Sequence, residues 1–414
     1  MTVKPGVVTM RQSLFAGDAD TSKRRVIIFS CSGGGGHATA TTAIKAYLGD
    51  VYDVVDVNIF SEVLGTCDPF RLISDGSFSG EDIYNFLIRQ GAAWGGNMLC
   101  SMGCLLTQMQ QRRLTTLIEE FLIRNKPDVL ISVIPIVNGL IYTAAERLNI
   151  PFAIITTDLY TATFWYGIHQ PSYKHFYFCV PCADELVVKE VAPAGIPESC
   201  IRYVGYPVRP AFLERSYVEE LRSQLQLPQD KPIVMVMMGA AGSTATIGYA
   251  RKLSHIDIPM HIIFCVGRNV ALLQAIRDIS FPDHITISLF SFTEQVGDLM
   301  RASDILITKS GSASVCEALY VGIPLLLDNT APVLLWEQLN FDFIQQHGCG
   351  SVITSLHHLP IHMHRLLEDA EHLREIRTGM QCCQLPDPRH YIPLLVKEMI
   401  SHADQGGLYS HAPS

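Results

Sequence analysis

Residues 25–48 read RVIIFSCSGGGGHATATTAIKAYL. The run Arg25 to Cys31 is apolar and β-branched, and Ala38 to Leu48 has the composition of a helix. Between them lies Ser32-Gly33-Gly34-Gly35-Gly36-His37. The order is strand, glycine loop, helix start. Glycines let the backbone turn sharply and approach a bulky partner. The helix start behind them supplies free N–H groups and the positive end of a dipole. His37 stands at the mouth of this loop, with an ordinary pKa of about 6.5.

Outward from this loop the same grammar repeats. Tyr52 to Ile59 reads as a second strand, followed by Asp128 to Ile134, Phe152 to Thr157, His175 to Val180 and Ile201 to Val204, with helices between them. A second series starts at Pro232 to Met238 and continues with strands at His261 to Val266, Ile285 to Phe290, Asp304 to Thr308, Ile323 to Asp328 and Gly350 to Thr354. Apolar strands alternating with helices predict parallel sheets covered on both faces. The chain therefore reads as α/β, two Rossmann-like doubly wound halves joined near Gly205–Pro210 and facing each other across a cleft. The expected divisions are a disordered leader at 1–24, a first domain at 25–206, a second at 207–389, and a C-terminal helix and tail at 390–414. An apolar insertion at 67–111, ending beside Arg112-Arg113, interrupts the first domain and is read as a membrane- or lipid-contacting element.

Composition narrows the function classes. Of 414 residues 48 % are hydrophobic and only 17 % charged, which requires large buried cores and excludes a disordered chain. No apolar run is long enough to span a bilayer, and the first 20 residues lack the apolar core of a signal peptide. A cytoplasmic, peripherally membrane-associated protein is expected. A net charge of −9 argues against nucleic acid as the main partner. The 12 cysteines show no zinc-ribbon spacing, so no metal site is expected and reduced, mostly buried thiols are.

Strand ends carry the remaining signals, because open α/β sheets bind ligands there. Gly239-Ala240-Ala241-Gly242-Ser243-Thr244 and Ser310-Gly311-Ser312-Ala313 are small, hydroxyl-bearing and placed before helices, which suits a diphosphate. Neither is the ATPase phosphate loop nor GxGxxG. Glu317 lies one turn into the following helix, where a carboxylate can accept from the hydroxyls of a ribose. Glu337 and Asn340 share a helix face and are suited to sugar hydroxyls.

The set GGGGH (33–37), TTDL (156–159), GYPVRP (205–210), GAAGST (239–244), GRN (267–269), SDILITKSGSASVCEAL (303–319) and E-x-x-N (337–340) resembles glycosyltransferase family 28, nearest the monogalactosyldiacylglycerol synthase and diacylglycerol glucosyltransferase type. The resemblance covers roughly residues 25–355. It implies a GT-B fold and an inverting transfer of hexose from a UDP-sugar to a lipid acceptor, diacylglycerol first among them, with no cofactor beyond the donor and no required metal. It implies that His37 takes or orients the acceptor proton. Asp158 is then a second carboxylate that pairs with His37 or is itself the base. Gly239, Ser243, Arg268, Ser310, Gly311, Ser312, Glu317, Glu337 and Asn340 are expected on the donor, and Gly34, Gly35, Gly36, Trp94 and Trp165 on the acceptor. Two departures stand out. Trp336 occupies the place where the family commonly has glutamine, and GAAGST lacks the acid of the family's glycine loop. A transferase acting on a polyprenyl-linked or protein acceptor, and a catalytically silent UDP-sugar- or lipid-binding protein, are the competing readings.

Overall fold

A computed structural model describes residues 23–33, 35–68, 75, 78–89, 93–383 and 385–405. Gly34, most of the expected leader and part of the insertion lie outside these residues.

Two six-stranded sheets form the framework, and every strand pair in both is parallel. The first contains β1 (Arg25–Ser30), β2 (Asp53–Asn58), β3 (Val129–Ser132), β4 (Phe152–Ile155), β5 (Phe176–Val180) and β6 (Ile201–Tyr203) in the order β2-β1-β3-β4-β5-β6. The second contains β7 (Ile233–Met237), β8 (Met260–Cys265), β9 (Ile285–Phe290), β10 (Ile305–Lys309), β11 (Leu325–Asp328) and β12 (Gly350–Ile353) in the order β12-β11-β10-β7-β8-β9. Strands β3, β4, β5, β7 and β8 are buried along their whole length. That burial explains why they read as unbroken apolar runs rather than alternating ones.

Each order reverses once. In the first sheet the chain leaves β1 for β2 on one side and later returns to β3 on the other. In the second, β7 is flanked by β8 and β10 in the same way. These reversals open a crevice at the strand ends. The loops that follow β1, β3, β7 and β10 border those crevices, and three of them carry motifs singled out above: GGGGH after β1, GAAGST after β7 and SGSA after β10.

The apolar insertion contains two helices, Gly80–Arg89 and Ala93–Met109, and the helix Gln111–Asn125 continues from it. Between β5 and β6 lie the short helix Glu185–Val188 and a 3-10 turn at Ala192–Ala194, where Pro193 cannot continue a helix.

The chain crosses between domains twice, and the crossovers run side by side. The Tyr320 hydroxyl joins them, accepting from the Tyr206 N–H at 2.9 Å and donating to the Pro386 carbonyl at 2.9 Å. Gly205 has φ +81°, and a Cβ there would stand 2.0 Å from the Pro386 oxygen. Only glycine tolerates both. After the second crossover the helix Pro388–Gln405 packs on the first domain. Glu398 pairs with Arg202 at 2.6 Å, and His402 bonds the Tyr177 hydroxyl at 2.7 Å. The last helix, expected as a separate appendage, is thus part of the first domain's surface. All twelve cysteines are free thiols.

Candidate active site

The first crevice is built around His37. Its Nδ1 lies 2.8 Å from the Val133 carbonyl, just past β3, and 2.9 Å from the Thr157 hydroxyl, just past β4. Thr157 itself donates to the same Val133 carbonyl at 3.2 Å. The Val133 carbonyl can only accept, so Nδ1 carries the proton and the neutral ring has its lone pair on Nε2. Burial lowers the imidazole pKa to about 4, with the Val133 bond opposing the shift. At neutral pH the ring is uncharged, with the lone pair on Nε2 free.

His37 lines a cavity of about 470 Å³ whose other walls are mainly apolar. Gly33, Cys31, Tyr84 and the loop Pro135–Val137 contribute from the first domain, and Leu335 and Trp336 from the second. One wall is the helix Ala93–Met109. Its Cys100, Gly103, Cys104 and Thr107 line the cavity. Trp94, Met98, Met102, Leu105 and Met109 lie on its other side, exposed. At 3.6 residues per turn these five positions fall within about 80° of arc. The helix is therefore apolar outward as well as inward, and the exposed Arg112 and Arg113 follow it.

Asp158 lines the cavity but does not pair with His37. Thr157, in the bend just past β4, holds that place. The Asp158 carboxyl instead meets the Ser312 hydroxyl of the second domain, across the cleft. Burial pushes its pKa up to about 8, Ser312 lowers it and Glu337 adds to the rise. A carboxyl protonated at neutral pH is a poor general base, which weakens the alternative that Asp158 takes the acceptor proton.

The second crevice gathers the loops after β7 and β10. Gly239 has φ +83°, and a Cβ there would meet the Lys309 side chain at 3.6 Å. Gly242 and Gly267 press on one another's loops, since a Cβ on either would stand 2.1 Å from Val266 O or 2.3 Å from Ala240 O. Ser243 accepts from the Ala245 N–H and starts the following helix. Arg268 is exposed on the rim, its guanidinium 4.3 Å over the Phe292 ring. The Ser310–Ser312 loop opens the helix Ser312–Val321, and the Ser310 hydroxyl is buried without a partner among the described residues. Asn340 does not point at open space: its Nδ2 is spent on the Ser310 carbonyl and on Ser312 Oγ, the latter at 3.0 Å. It clamps the loop. Glu337 stands beside this loop, with Oε1 3.7 Å from where a Gly311 Cβ would be. Burial raises its pKa, and Lys309 and a backbone bond at Leu334 oppose this.

Glu317 is buried in the same helix, pushed up to about 7 by burial and pulled down by Arg209. Arg209, Lys309, Thr157, Gly33 and Tyr84 were not among the expected site residues. Arg209, Lys309, Thr157 and Gly33 belong to motifs quoted above, so position in a motif was the available signal. Nothing local marked Tyr84. Of the expected acceptor contacts, Gly35 and Gly36 open the helix Gly36–Leu48 with free space where a Cβ would be. Gly34 lies outside the described residues. Trp94 is 78 % exposed and points away from the cavity. Trp165 is also elsewhere, because its indole N–H is committed to the Glu190 carbonyl at 2.8 Å and its ring to His169. No group of His, Cys, Asp or Glu among the described residues could hold a metal ion.

Residues 37–208 match the family described as monogalactosyldiacylglycerol (MGDG) synthase, and residues 233–327 match the glycosyltransferase family 28 C-terminal domain. Over 358 residues the chain is 26 % identical to monogalactosyldiacylglycerol synthase 1, chloroplastic, of Arabidopsis thaliana, covering 82 % of this chain and 63 % of that protein. Over 352 residues it is 26 % identical to a probable monogalactosyldiacylglycerol synthase, chloroplastic, of Nicotiana tabacum, covering 80 % of this chain and 62 % of that one. Over 297 residues it is 24 % identical to a processive diacylglycerol beta-glucosyltransferase of Bacillus pumilus, covering 72 % and 73 %. The chain thus spans under two thirds of the plant relatives' length. Among solved structures, Acinetobacter baumannii MurG superposes with TM-score 0.61 at 16 % identity, covering 91 % of this chain and 99 % of that one. The glycosyltransferase SnogD from Streptomyces nogalater gives 0.57 at 15 %, covering 91 % and 100 %. These likenesses show the fold, which is GT-B.

Proposed function

We infer, from a chain that matches the MGDG synthase family through its first domain and glycosyltransferase family 28 through its second, that this protein transfers a hexose from a UDP-sugar to diacylglycerol at a membrane surface. The observation that carries the reading is His37. A neutral imidazole, fixed through Nδ1 by Val133 and Thr157, borders an apolar cavity, and Asp158 in that cavity's wall bonds Ser312 of the phosphate-suited loop on the facing domain.

The chemistry follows from that placement. The acceptor hydroxyl loses its proton to Nε2 of His37 as its oxygen attacks the anomeric carbon. UDP leaves from the opposite side of the sugar, so the configuration inverts. The Ser310–Ser312 loop, the dipole of its helix and Lys309 stabilise the charge that collects on the leaving diphosphate. Glu317 accepts from the ribose, and Glu337 faces the sugar. The apolar cavity suits an acyl chain. Around it, the outward stripe of Trp94, Met98, Met102, Leu105 and Met109, with Arg112 and Arg113 beside it, suits the interface of a bilayer. No helix among the described residues is long and apolar enough to cross a membrane. Attachment through that stripe would therefore be peripheral.

The test is transfer from radiolabelled UDP-glucose and UDP-galactose, separately, to diacylglycerol in mixed micelles, with the lipid products resolved. Label in a glycolipid from one donor supports the reading and names the sugar. Release of free sugar, or UDP binding with no labelled lipid, overturns the acceptor and leaves the fold.

A further inference from the structure

A second cavity, of about 420 Å³, shares no lining residue with the first. It lies at the hinge. Glu214 and Arg215 come from the segment after the first crossover, Asp387 and Arg389 from the second, Arg377 from the helix Ala370–Cys382, and Tyr320 from the helix Ser312–Val321. Three arginines thus face two carboxylates. Arg389 is neutralised by Asp387 at 2.8 Å, and its other reach is to the Leu213 carbonyl at 3.3 Å. Arg215 and Arg377 are exposed guanidiniums, and neither makes an ion pair among the described residues. Apart from Glu214, the carboxylate on this wall is already engaged.

We propose that this hinge cavity is a binding site for a phosphate group, held by Arg215 and Arg377 with Arg389 at its edge. Two unpaired guanidiniums on one polar concavity match a compact dianion, because each presents a planar fork of donors to phosphate oxygens. The group can arrive free in solution or as a lipid headgroup. Either way it would bridge the second domain to both crossovers, beside the Tyr320 hydroxyl that joins them.

The experiment uses the full chain and two variants, R215Q/R377Q and R215K/R377K. Calorimetry at pH 7.5 measures binding of glycerol 3-phosphate, and flotation measures binding to phosphatidylcholine vesicles with and without phosphatidate. Both run with UDP at saturation, so that a phosphate cradle in the cleft is filled. Saturable binding by the wild-type chain, weakened at least tenfold in R215Q/R377Q and only partly restored in R215K/R377K, which keeps the charge but not the planar fork, supports the site. Binding of the soluble phosphate alone, or of phosphatidate alone, identifies the source. Equal binding by wild type and R215Q/R377Q, or none to either probe, overturns the proposal. Thermal melts of each variant separate lost binding from lost fold. The site is independent of the transferase reading: a protein that failed to bind UDP would sink that reading, and the comparison of wild type with R215Q/R377Q would still decide the hinge.

Discussion

His37 draws its role from two neighbours that are remote in sequence. Val133 and Thr157 come together only because β3 lies between β1 and β4. Sequence showed a histidine after a glycine loop and a TTDL motif, but not which of its members would touch the ring. Pairing Asp158 with His37 was reasonable for a carboxylate at a strand end. The bend after β4 gives that place to Thr157, and Asp158 reaches across the cleft to Ser312. Two predictions belong to this scale. His37→Ala should reduce transfer by about 100- to 10,000-fold, the range for losing a general base, with UDP affinity and melting temperature little changed. Near-normal turnover in a folded variant would remove His37 from the base's position. For Asp158, the carboxyl titrates at about 8 in the fold and near 3.9 in an unfolded chain. Between these values the native state holds the extra proton, so stability is highest below pH 4 for this group and declines as pH rises through 8. Asp158→Asn, which mimics the protonated form, should lose that decline. Urea titrations at pH 5 and pH 8.5 should show the variant gaining on wild type at the higher pH by at least about 1 kcal/mol. A gap that is flat or reversed would mean that the carboxyl is ionised.

The element that most rewards scrutiny is the helix Ala93–Met109. Its sequence, rich in Met, Cys and Gly with few charges, reads equally as a core helix or a surface one. The structure answers both ways at once: one face lines the cavity and the other is bare. Composition could not separate them, because both faces are apolar and the helix lacks the one-sided pattern that periodicity detects. Trp165 erred in the opposite direction. It was expected on the acceptor, yet a backbone carbonyl 25 residues onward holds its indole. The outward stripe supports a sharp expectation. Met98→Glu with Met102→Glu should change stability by no more than about 0.5 kcal/mol, since both residues are exposed. Flotation with liposomes should show clear loss of attachment, while UDP binding stays intact. Undiminished attachment would assign the stripe to some other contact.

At the scale of the whole molecule, the alternation of strands and helices made the two sheets legible, and buried parallel strands are the reason. The doubling-back at the end was not legible, because a helix shows its apolar face in sequence but not the partner it covers. The side-by-side crossovers were hidden likewise, although Gly205 marked the spot. Gly205→Ala should destabilise the chain by about 2–4 kcal/mol, since it combines an unfavourable φ with a 2.0 Å clash on Pro386. Calorimetric melts would check this, and an unchanged midpoint would show that the crossovers can part freely. The return of Pro388–Gln405 to the first domain has a consequence for biosynthesis. Folding during translation proceeds from the N-terminus, domain by domain. Here the first domain leaves the ribosome with Arg202 and Tyr177 uncovered, and it keeps that surface open while some 180 further residues are made. Its last piece arrives only after the second domain has been made, so the two domains mature together, and the earlier-made one waits for the later.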